Sequence, residues 1–319
     1  MLRLHRRLNA VGTPLVLAIG NFDGVHLGHQ AILEKCRNTA SLLGFEAAAL
    51  TFEPLPREFF SPATAPARLM SVSEKLAAFS RAGIDHAFMP RFNQAFSQQS
   101  PDEFIGALLA MNVRHLLLGA DFRFGAKRAG DVAMLEKVFA LTRMDDVRVG
   151  DTRVSSTAVR AALAAAKLPE AKKLLGGSYQ IVGRVTHGKK LGRTLGFPTA
   201  NVSLGPAARQ RKPALAGVYA VECRLVTRGL EGVAELTGLG RGGILQGVAN
   251  LGTNPVVSTE NCQHLEVFLF DFSGDLYGQK LAVTFIEKIR DEQKFDGLDP
   301  LIVQMHDDCL KAKTILSRK

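Results

Sequence analysis

Two histidines, His26 and His29, end a glycine-rich segment whose composition suits a phosphate-binding site. An apolar run precedes this segment, a helix-like stretch follows it, and its residues are Gly20-Asn21-Phe22-Asp23-Gly24-Val25-His26-Leu27-Gly28-His29. Glycines let the backbone approach an anion, and a helix N-terminus offers free N–H groups with a positive dipole. Because residues three apart share one helix face, both imidazoles could add positive charge or hydrogen bonds to a phosphate in a transition state.

The same histidines fit two other interpretations. They could be solvated groups near the start of a helix, although the preceding strand-like run and the three glycines favour a phosphate site. They could also bind zinc, but a zincin helix carries histidines at i and i+4 with a glutamate, and no further ligand cluster is evident in the sequence. The phosphate site is therefore the prediction for residues 20–29.

This segment also resembles a family signature. Gly-x-Phe-Asp-Gly-x-His-x-Gly-His is similar to the motif of the nucleotidylyltransferases that adenylylate flavin mononucleotide (FMN), within the wider group marked by His-x-Gly-His. The resemblance implies that His26 and His29 are catalytic. It also implies nucleotide and phosphate binding by Gly20, Asn21, Phe22, Asp23, Gly24 and Gly28.

A second helix start carries hydroxyl groups, at Ser155, Ser156 and Thr157. In the simplest interpretation one of these side chains caps the helix. Free N–H groups and hydroxyls also suit a triphosphate, and Arg160 lies within one turn of them. The segment resembles the Ser-Ser-Thr-x-(Ile/Val)-Arg motif of the same adenylyltransferases, which implies that the three hydroxyl residues bind the nucleotide and that Arg160 is catalytic.

Two phenylalanines follow a further strand-like run, in the segment 119–125. This segment is similar to the family's Gly-x-Asp-Phe-x-Phe-Gly, and the resemblance implies flavin binding by Asp121, Phe122 and Phe124. The two rings could pack on an isoalloxazine, and Asp121 could orient ribityl hydroxyls or structural groups. Ordinary core packing is the alternative for either ring.

The segment 51–60 departs from the family pattern at one position. It resembles Phe-(Asp/Glu)-Pro-His-Pro, but Leu55 stands in place of the histidine. A side chain that could reach phosphate or flavin is therefore missing, which affects the expected rate of this half more than its identity. The prolines predict an extended loop here rather than a helix.

The second half carries a different signature, Gly192-Arg193-Thr194-Leu195-Gly196-Phe197-Pro198-Thr199-Ala200-Asn201. It resembles the Gly-(Phe/Tyr)-Pro-Thr-Ala-Asn signature of riboflavin kinases. The resemblance implies that Gly192 and Gly196 bind ATP phosphates and that Thr199 and Asn201 hold Mg²⁺, since their oxygens suit a hard cation. A plain turn is the alternative for Pro-Thr-Ala-Asn alone.

Two later segments, 247–255 and 265–272, are also similar to riboflavin kinases. In that family the glutamate of the second segment is the proposed base for the riboflavin 5′-hydroxyl, and here it is Glu266. The alternative is a surface carboxylate on an alternating strand, and its apolar neighbours do not settle which face it occupies. The resemblance further implies nucleotide binding by Asn250.

The match continues through residues 289–295, which implies flavin binding by Arg290 and Phe295. Arg290 could bind phosphate or flavin, and Phe295 could stack on the ring. Either residue could equally anchor or cap the last helix.

Chain length and composition set the frame for these motifs. The 319 residues suffice for about two domains of roughly 150 residues each. The net charge of +10 suits anionic partners, but neither a basic–aromatic platform for nucleic acid nor a membrane-length apolar run is apparent. Four widely spaced cysteines and no signal peptide predict reduced thiols in a cytoplasmic protein.

Alternating strands and helices must position the motifs of the first half. The predicted strands are 15–20, 46–52, 85–89, 115–119 and 147–149. The predicted helices are 27–43, 73–82, 101–111, 131–141, 156–166 and 168–175. This alternation predicts an α/β domain with a Rossmann-like parallel sheet and ligands at the carboxyl ends of its strands.

The second half has a β-rich pattern instead. The predicted strands are 179–186, 217–226, 245–251, 264–272 and 280–286, followed by a helix over 299–316. These runs predict an antiparallel β-barrel, or a small sheet, with a C-terminal helix. For the segment 227–244 the sequence leaves a lid, an interface and disorder open.

The motifs occur in the order found in bifunctional riboflavin kinase/FAD synthetases of bacteria, over about residues 15–308. The resemblance implies an FMN adenylyltransferase domain at 1–176, with the nucleotidylyltransferase fold, and a riboflavin kinase domain at 177–319, with the riboflavin kinase fold. The expected partners are riboflavin, FMN, FAD and ATP, with Mg²⁺ as cofactor and ATP as co-substrate. Nucleic acid and membranes are not expected partners, and a monomer or weak homo-oligomer is expected.

Two other functions stay open from the sequence. One is an adenylyltransferase for another phosphomonoester, with a regulatory second domain. The other is a flavin- or nucleotide-binding regulator with one inactive half, for which Leu55 is the main argument.

Overall fold

The computed structural model describes residues 1–119, 121–188, 196–205, 212–228, 234–237, 243–253 and 263–318. The chain divides into two compact units. The first comprises 1–66 and 72–156, and the second comprises 67–71 and 157–319. The helical residues 157–175 thus group with the second unit, whereas the sequence places the domain boundary at 176.

A parallel sheet forms the centre of the first unit. The strands of this unit are β1 (Arg3–His5), β2 (Leu15–Ile19), β3 (Glu46–Leu50), β4 (His86–Phe88), β5 (Val113–Gly119), β6 (Arg123–Phe124), β7 (Gly130–Asp131), β8 (Ala140–Met144), β9 (Arg148–Val149) and β10 (Thr152–Arg153). Six of them pair in parallel in the order β1-β4-β3-β2-β5-β8. The predicted Rossmann-like sheet is confirmed, with β1 as a strand that the sequence did not predict.

Helices connect these strands. They are α1 (Leu27–Leu43), α2 (Pro56–Phe60), α3 (Val72–Arg81), α4 (Gln94–Ser97), α5 (Pro101–Ala110) and α6 (Val132–Glu136), with a 3-10 turn at Ala126–Arg128. α1 matches its prediction and ends at Gly44, whose φ of 69° only glycine adopts without strain. Every residue of β2 is buried, as expected for a central strand covered on both faces.

One predicted helix of this unit is wrong in its second part, and the strand predicted at 147–149 forms but lies outside the parallel sheet. The helix predicted over 131–141 stops at Glu136, and Ala140–Met144 forms the edge strand β8 beside β5. β9 pairs antiparallel with β10 and so takes no part in the parallel sheet. Pairing with a neighbouring strand outweighs the local helical pattern here, since helix propensity is a weak preference that tertiary context overrides.

The proline-rich segment is also helical in part, against the prediction of an extended loop. α2 begins at Pro56, at the first helical position, where the missing proline N–H would have no partner in the helix. The restriction on the residue before a proline applies to Leu55, which is extended and lies just outside the helix.

The second unit contains a closed antiparallel barrel. Its strands are β11 (Gln180–Thr186), β12 (Thr199–Val202), β13 (Gly217–Arg228), β14 (Ala234–Thr237), β15 (Leu245–Thr253), β16 (Gln263–Leu269) and β17 (Lys280–Arg290). In the described part of the chain, six strands close in the order β13-β15-β16-β12-β11-β17, because β17 also pairs with β13. Among the described residues, β14 pairs only with the end of β13. The predicted barrel is confirmed, while β12 and β14 were not predicted.

Two helices lie between the first sheet and the barrel in the chain, α7 (Ser156–Ala164) and α8 (Leu168–Leu175). A third, α9 (Leu298–Ser317), follows the barrel. α9 packs on the outer face of the barrel, where Ala312 and Leu316 meet Ala220 of β13. Most of the segment 227–244, including the glycines at 238 and 240, lies outside the described residues. Its role therefore stays open.

Glu46, at the start of β3, connects residues of neighbouring strands near the edge of the parallel sheet. Glu46 accepts hydrogen bonds from Thr13 and Arg3 and lies 2.8 Å from Nε2 of His86, which is almost fully buried. The other ring nitrogen of His86 lies 2.9 Å from Nε2 of His5 on β1. The Thr13 and His86 hydrogen bonds are the main causes that lower the pKa of Glu46 to about 2.

We expect Glu46→Gln to destabilise the protein at pH 7 by on the order of 1 kcal/mol. A carboxyl group whose pKa is lowered by folding contributes stability above its unfolded pKa of about 4.5 and loses it as the pH falls toward 2. Urea unfolding at pH 7, 5 and 3 measures the effect, which should shrink as the pH falls. Glu34→Gln on α1, with an exposed carboxylate, is the matched control. An equal loss of stability at every pH would contradict the assignment.

Candidate active sites

The glycine-rich segment follows the carboxyl end of β2, the strand that lies between β3 and β5. The chain continues from β2 to β3 on one side, while β5 lies on the other, so the strand order reverses at this point. Open parallel sheets bind ligands in the crevice at such a reversal. Helix α1 begins here as well, and its N-terminus adds the free N–H groups that the sequence predicted.

The two histidines form a stacked pair at this helix start. His26 is the N-cap residue of α1, and its Nδ1 accepts a hydrogen bond from the backbone N–H of His29 at 3.4 Å. The two ring centroids are 3.7 Å apart, with the planes 17° from parallel. Gly28 leaves room for this stack, since a Cβ there would lie 3.3 Å from the His26 ring. The His-x-Gly-His spacing therefore produces one compact pair of imidazoles.

His29 is held in its neutral form. Burial is the main cause that lowers its pKa well below the ordinary value, and the charges of His26 and Lys75 act in the same direction. Its Nδ1 is buried and has no hydrogen-bond partner among the described residues. A buried ring nitrogen without a partner is a group that a ligand can satisfy.

The structure brings the second predicted phosphate motif to the first. The hydroxyl of Ser156, the first residue of α7, donates a hydrogen bond to the backbone carbonyl of Asp23 at 2.8 Å. Ser155 precedes the helix, and Thr157 is exposed one residue after its start. The glycine-rich segment and the hydroxyl-rich helix start thus meet, although 133 residues separate them.

Three polar residues of the barrel form one row across three neighbouring strands. In the β-ladder, Asn201 of β12 is directly opposite Glu266 of β16, and Glu266 is directly opposite Asn250 of β15. Directly opposite residues share a face of a sheet and lie close enough to interact. Thr199 lies two residues before Asn201, so it shares this face. The barrel therefore assembles the predicted metal, base and nucleotide residues on one surface.

Glu266 lies on the outer face of the barrel. Its neighbours Leu265 and Val267 are buried in the barrel interior, so Glu266 points to the outer face and is partly exposed. Asn201, directly opposite Glu266, packs closely on Gly188, since a Cβ on Gly188 would lie 2.3 Å from the Asn201 side-chain nitrogen. Any other residue at 188 would require the Asn201 amide to move. Gly196, with a φ of 82°, is also described, whereas Gly192 lies outside the described residues.

Comparison with known proteins agrees with this geometry. The family model described as FAD synthetase matches residues 9–158, and the model described as riboflavin kinase matches residues 175–316. The bifunctional riboflavin kinase/FMN adenylyltransferase of Haemophilus influenzae is 43% identical, over 99% of both chains. Its namesake from Escherichia coli K12 is 42% identical, over 97% of this chain and 95% of the other.

The chain belongs to the bifunctional riboflavin kinase/FMN adenylyltransferase family. The FAD synthetase part precedes the riboflavin kinase part, as the order of the motifs predicted. Among solved structures, the chain is similar to a Streptococcus pneumoniae crystal structure described as a macrolide-efflux protein. The TM-score is 0.76 and the identity 26%, over 96% of this chain and 97% of the other. None of the described helices of this chain is long and apolar enough to span a membrane.

The predicted flavin residues of the FAD synthetase part differ in exposure. Phe124 is 6% exposed and packs on Phe104 of α5, which is the core alternative that the sequence left open. Phe122 is only partly buried and stacks on Phe124, with the planes 18° apart. Asp121 is an exposed carboxylate that pairs with Arg153 at 3.4 Å. Phe122 is therefore the better placed of the two rings for a ligand.

Sequence reasoning missed a group of phenylalanines beside this segment. The ring of Phe92 is at their centre, with ring centroids 5.5 to 5.7 Å from those of Phe52, Phe59, Phe60 and Phe96. Phe60 is 64% exposed, which is unusual for a large apolar ring, whereas Leu55 is buried. The adjacent pair at 59 and 60, after the prolines, was the signal in the sequence that could have indicated them.

Arg160 and Arg290 both contact protein oxygens. The Nε of Arg160 donates to the backbone carbonyl of Ala67. Arg290 binds both carboxylate oxygens of the buried Asp308 on α9, at 2.8 to 3.1 Å. Its guanidinium lies 5.8 Å from the centre of the Phe295 ring. These contacts favour the helix-anchoring alternative for Arg290, while the ligand roles of both arginines and of Phe295 stay predictions.

Proposed function

We propose that this chain makes FMN from riboflavin and FAD from FMN at two separate sites, each reaction consuming one ATP. Membership of the family supports both reactions. The observation that supports the assignment of sites is that residues of each motif set lie together. Ser156 meets Asp23 in one half, and Asn201, Glu266 and Asn250 align in the other.

The first site would transfer AMP. A phosphate oxygen of FMN attacks the α-phosphorus of ATP, a new P–O bond forms, and the bond to the departing pyrophosphate breaks. The attacking phosphate is already an anion, so no base is required. Backbone N–H groups of the segment 20–29 and the rings of His26 and His29 would stabilise the charge that develops on the phosphates. This explains a site rich in hydrogen-bond donors. For Arg160, the same stabilising role rests on the resemblance of its sequence motif alone.

The second site would transfer a phosphoryl group. The carboxylate of Glu266 accepts the proton of the riboflavin 5′-hydroxyl, whose oxygen bonds to the γ-phosphorus while ADP leaves. Positioning and charge neutralisation dominate such transfers. The place of Glu266 on a rigid strand, beside Asn201 and Asn250, supports this role.

Thr199 and Asn201 would hold Mg²⁺ in this site. A hydroxyl and an amide oxygen are hard, neutral ligands, and Mg²⁺ usually keeps waters and substrate phosphates as its remaining ligands. The described residues contain no group of three or more His, Cys, Asp or Glu that could hold a metal by themselves. When bound, the ion neutralises charge on the phosphates of ATP.

Further assignments belong to the same proposal. The domain ranges 1–176 and 177–319 are likewise proposed: the second family model begins at 175, whereas the first ends at 158 and the compact units divide after 156. Riboflavin, FMN, FAD and ATP follow from the two reactions as substrates and products. Nucleic acid and membranes are not proposed as partners. A cytoplasmic location and a monomer or weak homo-oligomer are likewise proposed.

One incubation tests the whole proposal. Purified protein with riboflavin, ATP and Mg²⁺ should yield both FMN and FAD, resolved by chromatography of the flavins. FMN without FAD would refute adenylyl transfer and point to Leu55 as the cause. Absence of both products would refute the proposal and favour a binding protein.

A further inference from the structure

A buried lysine on α3 contacts the glycine-rich segment but has no part in the chemistry described above. Lys75 is 3% exposed. Its Nζ donates hydrogen bonds to the backbone carbonyl of Asn21 at 2.7 Å and to Oγ1 of Thr51 at 3.1 Å. The Thr51 hydroxyl donates to the same Asn21 carbonyl at 3.0 Å. Burying an ammonium group is unfavourable, so a buried lysine beside a ligand site is a candidate for a functional role.

Phe22, the residue after Asn21, contacts the same face of α3. Phe79 lies one turn after Lys75, and its ring meets Phe22 edge-on with centroids 5.2 Å apart. The Phe22 ring also lies 5.1 Å from the ring of His29. Phe22 has a φ of 47°, which is uncommon for a residue other than glycine. Helix α3 therefore supports an unusual backbone conformation four residues before His26.

The direction of the Lys75 hydrogen bond determines where the next N–H points. The Asn21–Phe22 peptide is trans, and in a trans peptide the C=O and the N–H point in opposite directions. Because the Asn21 carbonyl points to the buried ammonium, the Phe22 N–H is aimed away from Lys75. Backbone N–H groups in such turns form the concavities that bind phosphates.

We propose that Lys75 is a positioning residue of the adenylyl-transfer site, which fixes the Asn21–Phe22 peptide so that the backbone N–H groups and His29 meet the phosphates of ATP. This inference rests on the proposed function of that site. The charge of Lys75 acts on His29 too, because together with burial and His26 it lowers the pKa of His29. Lys75 thereby favours the neutral imidazole in the free enzyme.

The test compares Lys75→Met with Arg81→Met, which removes an exposed cation from the same helix. FAD synthesis from FMN, riboflavin phosphorylation and the pH profile of each are measured on the full chain. Lys75→Met should lower kcat/KM for ATP in FAD synthesis by on the order of 10²-fold, as for a misplaced site. In the pH profile of FAD synthesis by this variant, the acid limb should move to higher pH, because loss of a neighbouring positive charge raises the pKa of His29. Arg81→Met should change FAD synthesis by no more than about twofold.

Thr51→Val is the second variant, since it removes only the hydroxyl between Lys75 and Asn21. It should lower FAD synthesis by roughly tenfold and leave riboflavin phosphorylation unchanged, and it decides the question if Lys75→Met does not fold. Wild-type protein that makes no FAD would refute the proposed function itself. Wild-type FAD synthesis with unchanged Lys75→Met and Thr51→Val kinetics would refute only the role of Lys75. A loss without any change of pH profile would reduce Lys75 to a structural residue and also overturn the proposal.

Discussion

Glu266→Gln is expected to lower riboflavin phosphorylation by roughly 10²- to 10⁴-fold, the range typical of a lost general base. The substitution keeps the size and shape of the side chain but removes the carboxylate that we propose as the acceptor of the 5′-hydroxyl proton. Because Glu266 lies on the outer face of β16 and not in the barrel core, the change leaves the apolar interior intact. The measurement is the initial rate of FMN formation from riboflavin at saturating ATP and Mg²⁺.

Two controls accompany this variant. FAD formation from added FMN, in the same preparation, should match the wild type, since that reaction uses the other half of the chain. Glu287→Gln removes an exposed carboxylate from β17 of the same barrel and should leave both reactions unchanged. Riboflavin phosphorylation at the wild-type rate in Glu266→Gln would rule out Glu266 as the base and return it to the class of surface carboxylates.

His29→Ala is expected to have the complementary effect, with FAD formation lower by on the order of 10²- to 10³-fold and FMN formation unchanged. The buried Nδ1 of His29 lacks a partner among the described residues, and the ring stacks directly on His26. Alanine would remove the proposed ligand contact and half of the stacked pair. Single-turnover formation of FAD from FMN and ATP separates this loss from product release.

The pH profile of the wild type adds an independent check on His29. Since folding lowers the pKa of His29 well below its ordinary value of about 6.5, the imidazole stays neutral throughout the neutral range. The rate of FAD formation should therefore show no inflection from His29 near neutrality.

His115→Asn, on β5 with Thr142 as partner, is the matched control for His29→Ala, since it also removes a histidine from this unit. Equal loss of both reactions in His29→Ala would contradict two separate sites.

Local patterns were sufficient for much of the fold. The bounds of α1 and α8 match their predictions, because apolar periodicity and terminal glycines mark a helix within its own sequence. Residues 140–144 failed for the opposite reason, since their strand exists only through pairing with β5. A strand that forms only by pairing with a distant segment cannot be predicted from the few residues that compose it.

The candidate sites divide in the same way. The sequence alone determined the motif chemistry and its order along the chain, since His-x-Gly-His needs only its own helix start to stack two imidazoles. Only the tertiary structure decided that Glu266 faces outward beside Asn201, that Arg290 binds Asp308, and that Lys75 reaches Asn21. These contacts join residues far apart in the chain, and closing such loops depends on the packing of the whole unit rather than on local preference.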